Sequence, residues 1–348
     1  MKEKVISFLQ REIEQQVTPG AAVLVKHRGN VLVKDTLGTN SLEQDKVPMT
    51  AQHLFDVASL TKVMATLPAM LQLLEEGIVH LNDKVARFLP GFAKNGKEGI
   101  TLRQLLTHSS GLAAHRHYYE EKLSYENVLA SIYEEKLAYQ TDTDVIYSDL
   151  GYMLLGEIIS KITAQPFQQY VKEYIYQPLG MESTGFLPEG ERSHFAPTEY
   201  LEHIGGHKYG IVHDDNTEFM GGVSGHAGLF SSLDDVEKYC DMLGAEGYYN
   251  GRKILHPLWL QKSRNNFTPF SEEARGLGWQ MKGAGPNPIG DLLSNKTYGH
   301  TGFTGTSFYL DPENELTIIL LTNRVYFGRH DAMIRLRPRL HNIVMTNI

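Results

Sequence analysis

Ser59 and Lys62 stand three residues apart in Phe55-Asp56-Val57-Ala58-Ser59-Leu60-Thr61-Lys62, where a loop gives way to an apolar helical run. Residues three apart on a helix share a face, so this hydroxyl and this amine can meet. A serine hydroxyl is a poor nucleophile until a neighbouring base takes its proton. A buried lysine can be that base if desolvation or a nearby cation lowers its pKa. The helix N-terminus adds N–H groups and a positive dipole end, which suit a developing oxyanion. Taken alone, the same spacing also describes a capping serine beside a solvated lysine.

Two further triplets add reactive groups. Tyr147-Ser148-Asp149 lies in a polar loop that opens an apolar helix. A tyrosine at such an entrance can point its phenol into a cleft and shuttle a proton. His300-Thr301-Gly302 reads as part of an inner strand, with Gly302 letting a ligand lie against the backbone.

In this order the three motifs resemble the serine β-lactamase and penicillin-binding protein superfamily, whose signature is S-x-x-K, a second-loop motif and K-T-G. The Tyr-x-Asn-like form of the second motif is similar to the class C β-lactamase, D-alanyl-D-alanine carboxypeptidase and esterase branch. Ile100–Leu112 (ITLRQLLTHSSGL), Gln177-Pro178-Leu179-Gly180-Met181, Gly228–Ser232 and Gly276-Leu277-Gly278-Trp279 also look like landmarks of that family, so the resemblance covers nearly the whole chain.

The resemblance implies a serine hydrolase working through an acyl-enzyme on a small amide or ester, either a D-amino-acid peptide or a carboxylic ester. Ser59 would attack, and Lys62 and Tyr147 would handle the proton, with their order left open. The backbone N–H groups of Ser59 and Phe303 would hold the oxyanion. Asp149, His300 and Thr301 would orient substrate, His226 would line the pocket, and Arg324 would meet a substrate carboxylate. Two departures point away from β-lactam hydrolysis. Asp149 stands where many relatives have asparagine, and an ionised aspartate only accepts hydrogen bonds. His300 replaces a lysine; with an ordinary pKa near 6.5 it would gain charge as pH falls toward 6 and then favour carboxylate-bearing substrates. The competing readings are a true β-lactamase and a penicillin-recognising sensor or scaffold without turnover, and a single burst without release would mark the sensor.

No cofactor is implied. His203 and His207, with His213 and His226 beyond, have a spacing open to zinc. But Gly205 and Gly206 weaken a helix there and no carboxylate or thiolate completes the set, so no metal is expected. The 348 residues carry 33 basic and 41 acidic side chains, a formal net charge of −8, which argues against nucleic acid or an anionic membrane as partner. The expected partner is a small-molecule or short-peptide substrate, and oligomeric state is not legible. The one cysteine, Cys240, rules out an intrachain disulfide and sits in an apolar helical pattern. No stretch reaches the length of a membrane span. The N-terminus threads charges through its apolar positions and lacks a signal-peptide core, which gives a cytoplasmic expectation as the sequence stands, or an extracytoplasmic one if a leader has been removed.

The elements that must position these residues follow from periodicity. Ala21–Lys26 and Asn30–Thr36 read as a hairpin, residues 59–76 as one helix that Pro68 kinks, and residues 102–106, 125–137, 151–162 and 167–174 as further helices. Strands return at 298–302, 306–310 and 316–322, before a closing helix over 333–348. The expected fold is α+β: an antiparallel sheet flanked by helices and built from both chain ends, with an all-helical lobe inserted in the middle. The chain is expected to form a single catalytic unit over residues 1–348. Its α/β lobe would comprise about 1–78 and 225–348, and its helical lobe about 79–224.

Overall fold

The computed structural model describes residues 1–329 and 331–348. Six strands form an antiparallel sheet in the order Gln280–Met281, Tyr298–Thr301, Ser307–Asp311, Leu316–Thr322, Gly20–His27 and Asn30–Gly38. The two chain ends meet at its centre, where Ala21 pairs with Thr322 and Val25 with Ile318.

Alternate side chains of a strand point to opposite faces, and both faces of this sheet are covered. Ala21, Val23, Ile318 and Leu320 pack on one face against Val5, Phe8, Leu336 and Leu340. Those four come from the terminal helices Lys2–Glu14 and Ala332–Met345. Ala22, Leu24, Ile319 and Leu321 face the other way and join a larger core with Leu60, Val63, Leu67 and Tyr152. This explains why the central strands read as near-continuous apolar runs.

The middle of the chain supplies helices at Leu102–Leu106, Tyr125–Glu134, Asp149–Thr163 and Phe167–Val171. The first starts with a capping box in which the Thr101 and Gln104 side chains satisfy each other's backbone N–H groups. The middle also carries short strands that periodicity did not indicate. Gly185–Phe186 and Phe195–Ala196 join a second sheet in the order Gly185–Phe186, Leu229–Ser231, Leu54–Asp56, Phe195–Ala196. Two-residue strands are too short to show an alternation. This small sheet matters for the site, because Leu54–Asp56 leads into Ser59 and Leu229–Ser231 follows His226.

The helix expected over 59–76 is not regular. A tight turn covers Ala58–Leu60, a wide π-type turn covers Lys62–Thr66, and a regular helix runs over Leu67–Glu75. Pro68 sits in the first turn of that last piece, directly after the wide turn. Among the described residues no helix is long and apolar enough to cross a membrane.

Candidate active site

Ser59 enters the site from a strained backbone. Ala58 has φ of 48°, a conformation rare for a residue with a side chain, and its N–H donates to Asp56 Oδ1 at 2.7 Å. The other oxygen of Asp56 accepts from the His213 backbone N–H at 2.6 Å. One buried carboxylate thus ties the nucleophile's strand to the loop on the far side of the cleft.

Lys62 Nζ is the centre of the arrangement. It lies 3.1 Å from Ser59 Oγ, 2.8 Å from Asp149 Oδ1 and 3.1 Å from the carbonyl oxygen of His226. An ammonium has three N–H donors and no acceptor, and these are three acceptors. Its side chain is 0% exposed. Burial pulls its pKa down, but the charge of Asp149, with a smaller contribution from Tyr147, outweighs burial and raises it above the ordinary lysine value. Asp149 shows the mirror effect: burial pushes its pKa up, yet Lys62 and the His115 hydrogen bond hold it well below the usual carboxylate range.

The His226 carbonyl reaches Lys62 because two glycines allow close approach. A Cβ on Gly225 would lie 2.2 Å from the Tyr152 carbonyl oxygen and 2.9 Å from the Gly156 nitrogen. The loop before His226 therefore packs directly on the helix Asp149–Thr163.

Tyr147 packs its ring 4.8 Å from Lys62 Nζ, measured to the ring centre. Its phenol oxygen is buried without a hydrogen-bond partner among the described residues. Its ring also touches His108 and His300, with centroids 4.5 and 5.7 Å away. Ser59, Tyr147, Asp149, Phe303 and the helix-entry residues open onto one cleft of about 380 Å³.

Of the remaining residues singled out by sequence, Asp149 and His226 line this cleft and His300, Thr301 and Arg324 do not. His300 does not line this cleft; it lies behind Tyr147, 2% exposed, and its Nδ1 meets the Thr301 carbonyl oxygen at 2.8 Å. Burial, then Arg275 and Lys62, push its pKa well below the ordinary value, so the expected gain of charge toward pH 6 is corrected to a ring that stays neutral there. Thr301 lines a separate groove with Lys282, Arg335 and Arg337. The neighbour lying against Gly302 is protein rather than ligand: a Cβ there would lie 2.1 Å from Thr306 Oγ1 and 2.4 Å from the Val57 carbonyl oxygen. Arg324 also lies outside the cleft, donating through Nε to the Phe303 carbonyl at 2.6 Å and stacking on the Phe303 ring. His226 lines the cleft; its ring is 1% exposed and engaged by Asp214 at 3.0 Å and Ser224 at 2.8 Å, while its carbonyl meets Lys62. Asp149 lines the cleft, but its oxygens already meet Lys62 and, at 3.3 Å, His115.

The cleft also holds residues that motif reading missed. His115, His117, Tyr119 and Asp214 line it. The run His115-Arg116-His117-Tyr118-Tyr119, just after the Leu112 landmark, was the available signal. His115, Asp149 and Asp214 bring one ligand atom each within 4.8 Å of one another. Asp149 is spoken for by Lys62 and Asp214 by His226, which leaves the trio as a hydrogen-bonded frame. His203 and His207, the pair with zinc-like spacing, are split between a tight turn and a short strand, and His207 stacks on Tyr326 with centroids 3.9 Å apart.

The sequence matches the beta-lactamase family over residues 5–341. It is 35% identical over 361 residues to an Escherichia coli K12 protein provisionally named D-alanyl-D-alanine carboxypeptidase, covering 92% of this chain and 82% of that one. It is 32% identical over 361 residues to a Bacillus subtilis 168 protein named N-acetylmuramyl-L-alanine amidase, covering 92% and 80%. Among solved structures it is similar to EstCE1, described as a hydrolase with promiscuous acyltransferase activity, with a TM-score of 0.80, 22% identity, and 99% and 98% of the two chains covered.

Proposed function

As the chain belongs to the beta-lactamase family and is a serine hydrolase, we propose that Ser59 forms an acyl-enzyme with the carbonyl of an alanyl peptide or a related small amide or ester. The observation that carries this reading is the saturation of Lys62. With all three N–H donors directed at Ser59 Oγ, Asp149 and the His226 carbonyl, Lys62 is an ammonium with no lone pair to offer.

The proton of Ser59 then goes to Tyr147 acting as a phenolate, whose oxygen is buried in the same cleft and has no other hydrogen-bond partner among the described residues. Lys62 orients the serine oxygen through its N–H and stabilises negative charge on either oxygen during the transfer. When the tetrahedral intermediate collapses, Tyr147 returns the proton to the leaving amine or alcohol. In deacylation it takes a proton from water in the same way. Ser59 and Phe303 both line the cleft, and their backbone N–H groups would hold the oxyanion.

Both curated relatives are named for hydrolysis at an alanine amide, which favours a cell-wall-type peptide as the acyl donor. The charged frame of His115, Asp149 and Asp214 beside Ser59 suits a polar amide better than a plain hydrocarbon ester.

The test is mass spectrometry of the protein with a p-nitrophenyl ester, a D-Ala-D-Ala peptide, a muramyl-alanine amide and a fluorescent penicillin. A transient adduct on Ser59 with product release from the ester and at least one alanyl amide is expected. An adduct on another residue overturns the assignment, and a Ser59 adduct that never turns over makes the protein a sensor.

A further inference from the structure

Arg275 stands immediately before the Gly276–Trp279 landmark, and nothing in the motif pattern marks it. Its side chain is 5% exposed. One nitrogen, Nη2, pairs with Glu273, a residue that reaches solvent. Nε and Nη1 are buried without hydrogen-bond partners among the described residues. The guanidinium carbon lies 5.3 Å from the centre of the Tyr147 ring.

A buried cation left with two unpartnered donors is costly, and packing gives no reason to keep it. Its backbone would serve as well with another side chain, because these contacts do not involve the guanidinium: the Phe267 N–H donates to its carbonyl and its own N–H donates to Thr268 Oγ1. What the charge does face is Tyr147. Lys62 lies 4.8 Å from the same ring centre, so two cations bear on one phenol.

We infer that Arg275 is a positioning residue of the catalytic proton path, a fixed buried charge that acts through Tyr147 by stabilising the phenolate that accepts the Ser59 proton. The two histidines in contact with Tyr147 fit this role. The Ser148 N–H donates to His108 Nδ1 at 2.9 Å, and His300 Nδ1 meets a carbonyl oxygen, so both rings satisfy one nitrogen while neutral. Burial first, and Arg275 next, hold both well below the ordinary histidine pKa. Neutral rings leave the potential at Tyr147 to Lys62, Arg275 and Asp149. Other ionisable groups beside the path are Tyr152, which stacks on His108, and His115, which meets Asp149 at 3.3 Å and has a raised pKa from that contact.

The inference rests on the acyl-enzyme reading above, and the experiment separates the two. Wild-type protein is first shown to form a Ser59 adduct with a p-nitrophenyl ester; without it the acyl-enzyme reading itself fails. Acylation rate and KM are then measured from pH 6.5 to 10 for Arg275→Met, Arg275→Lys, Tyr147→Phe and Arg275→Met/Tyr147→Phe. Arg275→Met is expected to lower the acylation rate roughly 10- to 100-fold near neutrality with KM within about threefold, the scale of a charge that acts on the transition state alone. The deficit should shrink as pH rises, Arg275→Lys should recover most of the rate, and in the Tyr147→Phe background Arg275→Met should cost almost nothing. Equal losses in both backgrounds, or a loss carried by KM, would mean that Arg275 is merely structural. A wild-type rate in Arg275→Met also overturns the inference. If Arg275→Met does not fold, Arg275→Gln takes its place in the same cycle, and failure of both to fold while Arg275→Lys retains full rate only at unchanged Tm counts as a structural role.

Discussion

The Lys62 ammonium lies 2.8 Å from the Asp149 carboxylate, and that contact fixes which group is charged at the centre of the site. An asparagine at position 149 would be uncharged and would leave Lys62 without this counter-ion. Here the aspartate supplies one. The proposed division of labour rests on this contact, with Lys62 carrying positive charge and Tyr147 moving the proton.

Asp149→Asn tests this pairing directly. Removing one partner of a buried pair typically costs about 3–5 kcal/mol, because the remaining charge is stranded. The solvent that reaches Asp149, which is 18% exposed, and the retained shape of asparagine bring the expectation to about 2–3 kcal/mol at pH 7. The sign with pH is defined. In the wild type, Lys62 has a raised pKa and Asp149 a depressed one, so the pair is intact from above the ordinary carboxylate range up to the ordinary lysine range. In the variant, Lys62 has lost its counter-ion and is easier to deprotonate, so the deficit should narrow between pH 7 and pH 9.5. Denaturant unfolding at the two values gives the answer; a constant deficit would show that charge is not the cause.

Tyr147→Phe and Lys62→Met should each slow acylation by something on the order of 10²–10⁴, the usual scale for a general acid–base group. Because both act on one proton, the double variant should cost far less than the product of the singles. Stopped-flow acylation with a chromogenic ester measures all three, and multiplicative losses would exclude a shared path.

Gly302→Ala should impair the enzyme without touching substrate. The added methyl meets Thr306 Oγ1 and the Val57 carbonyl, two residues before Ser59, so it pushes on the nucleophile's segment. Arg337, which donates to the Gly302 and Thr306 carbonyls, braces the same corner. Overpacking of this kind costs about 1–3 kcal/mol. The expected result is a clear drop in kcat at nearly unchanged KM. An unperturbed kcat would show that the strand end is decoupled from Ser59.

Much of this was legible in the sequence. The central strands announced themselves because both faces are buried, so Ala21–Val25 and Ile318–Leu321 are apolar without interruption. Ser59, Lys62 and Tyr147 were legible because their motifs are local. What escaped notice depends on contacts between distant segments. Arg275 reads as a surface arginine until the fold sets it against Tyr147. His300 reads as a titrating residue until burial and two cations remove its proton. Asp149 reads as a substrate ligand until Lys62 reaches it from 87 positions away. The irregular turn at Lys62–Thr66 was hidden for another reason: its apolar spacing is that of an ordinary helix, although Pro68 stands just after it, as Pro178 stands just after the wide turn at Lys172–Tyr176.

Buried neutral histidines give the protein a predictable weakness in acid. His108, His300 and His341 are each 1–2% exposed. Burial first, with nearby arginines next or following, depresses the pKa of all three, His341 to about 4. A depressed histidine binds a proton more readily in the unfolded chain. Its contribution to stability is therefore complete above the unfolded value near 6.5 and is lost as pH falls from there toward the folded value. Between pH 7.5 and 5.5 each such residue should withdraw about 1.4 kcal/mol, roughly 4 kcal/mol for the three together. His115 works the other way, since its bond to Asp149 raises its pKa, but it is one partly exposed group against three buried ones. His341 lies on the C-terminal helix, where Nδ1 meets the Ile289 carbonyl oxygen at 2.9 Å, outside the Ser59 cleft. His341→Gln should thus leave acylation unchanged while cutting the loss between pH 7.5 and 5.5 by about 1.4 kcal/mol, the share of one histidine. Denaturant unfolding of wild type and variant at both pH values measures it. An identical pH dependence in the two proteins would mean that His341 is not neutral in the fold, or is not what acid attacks.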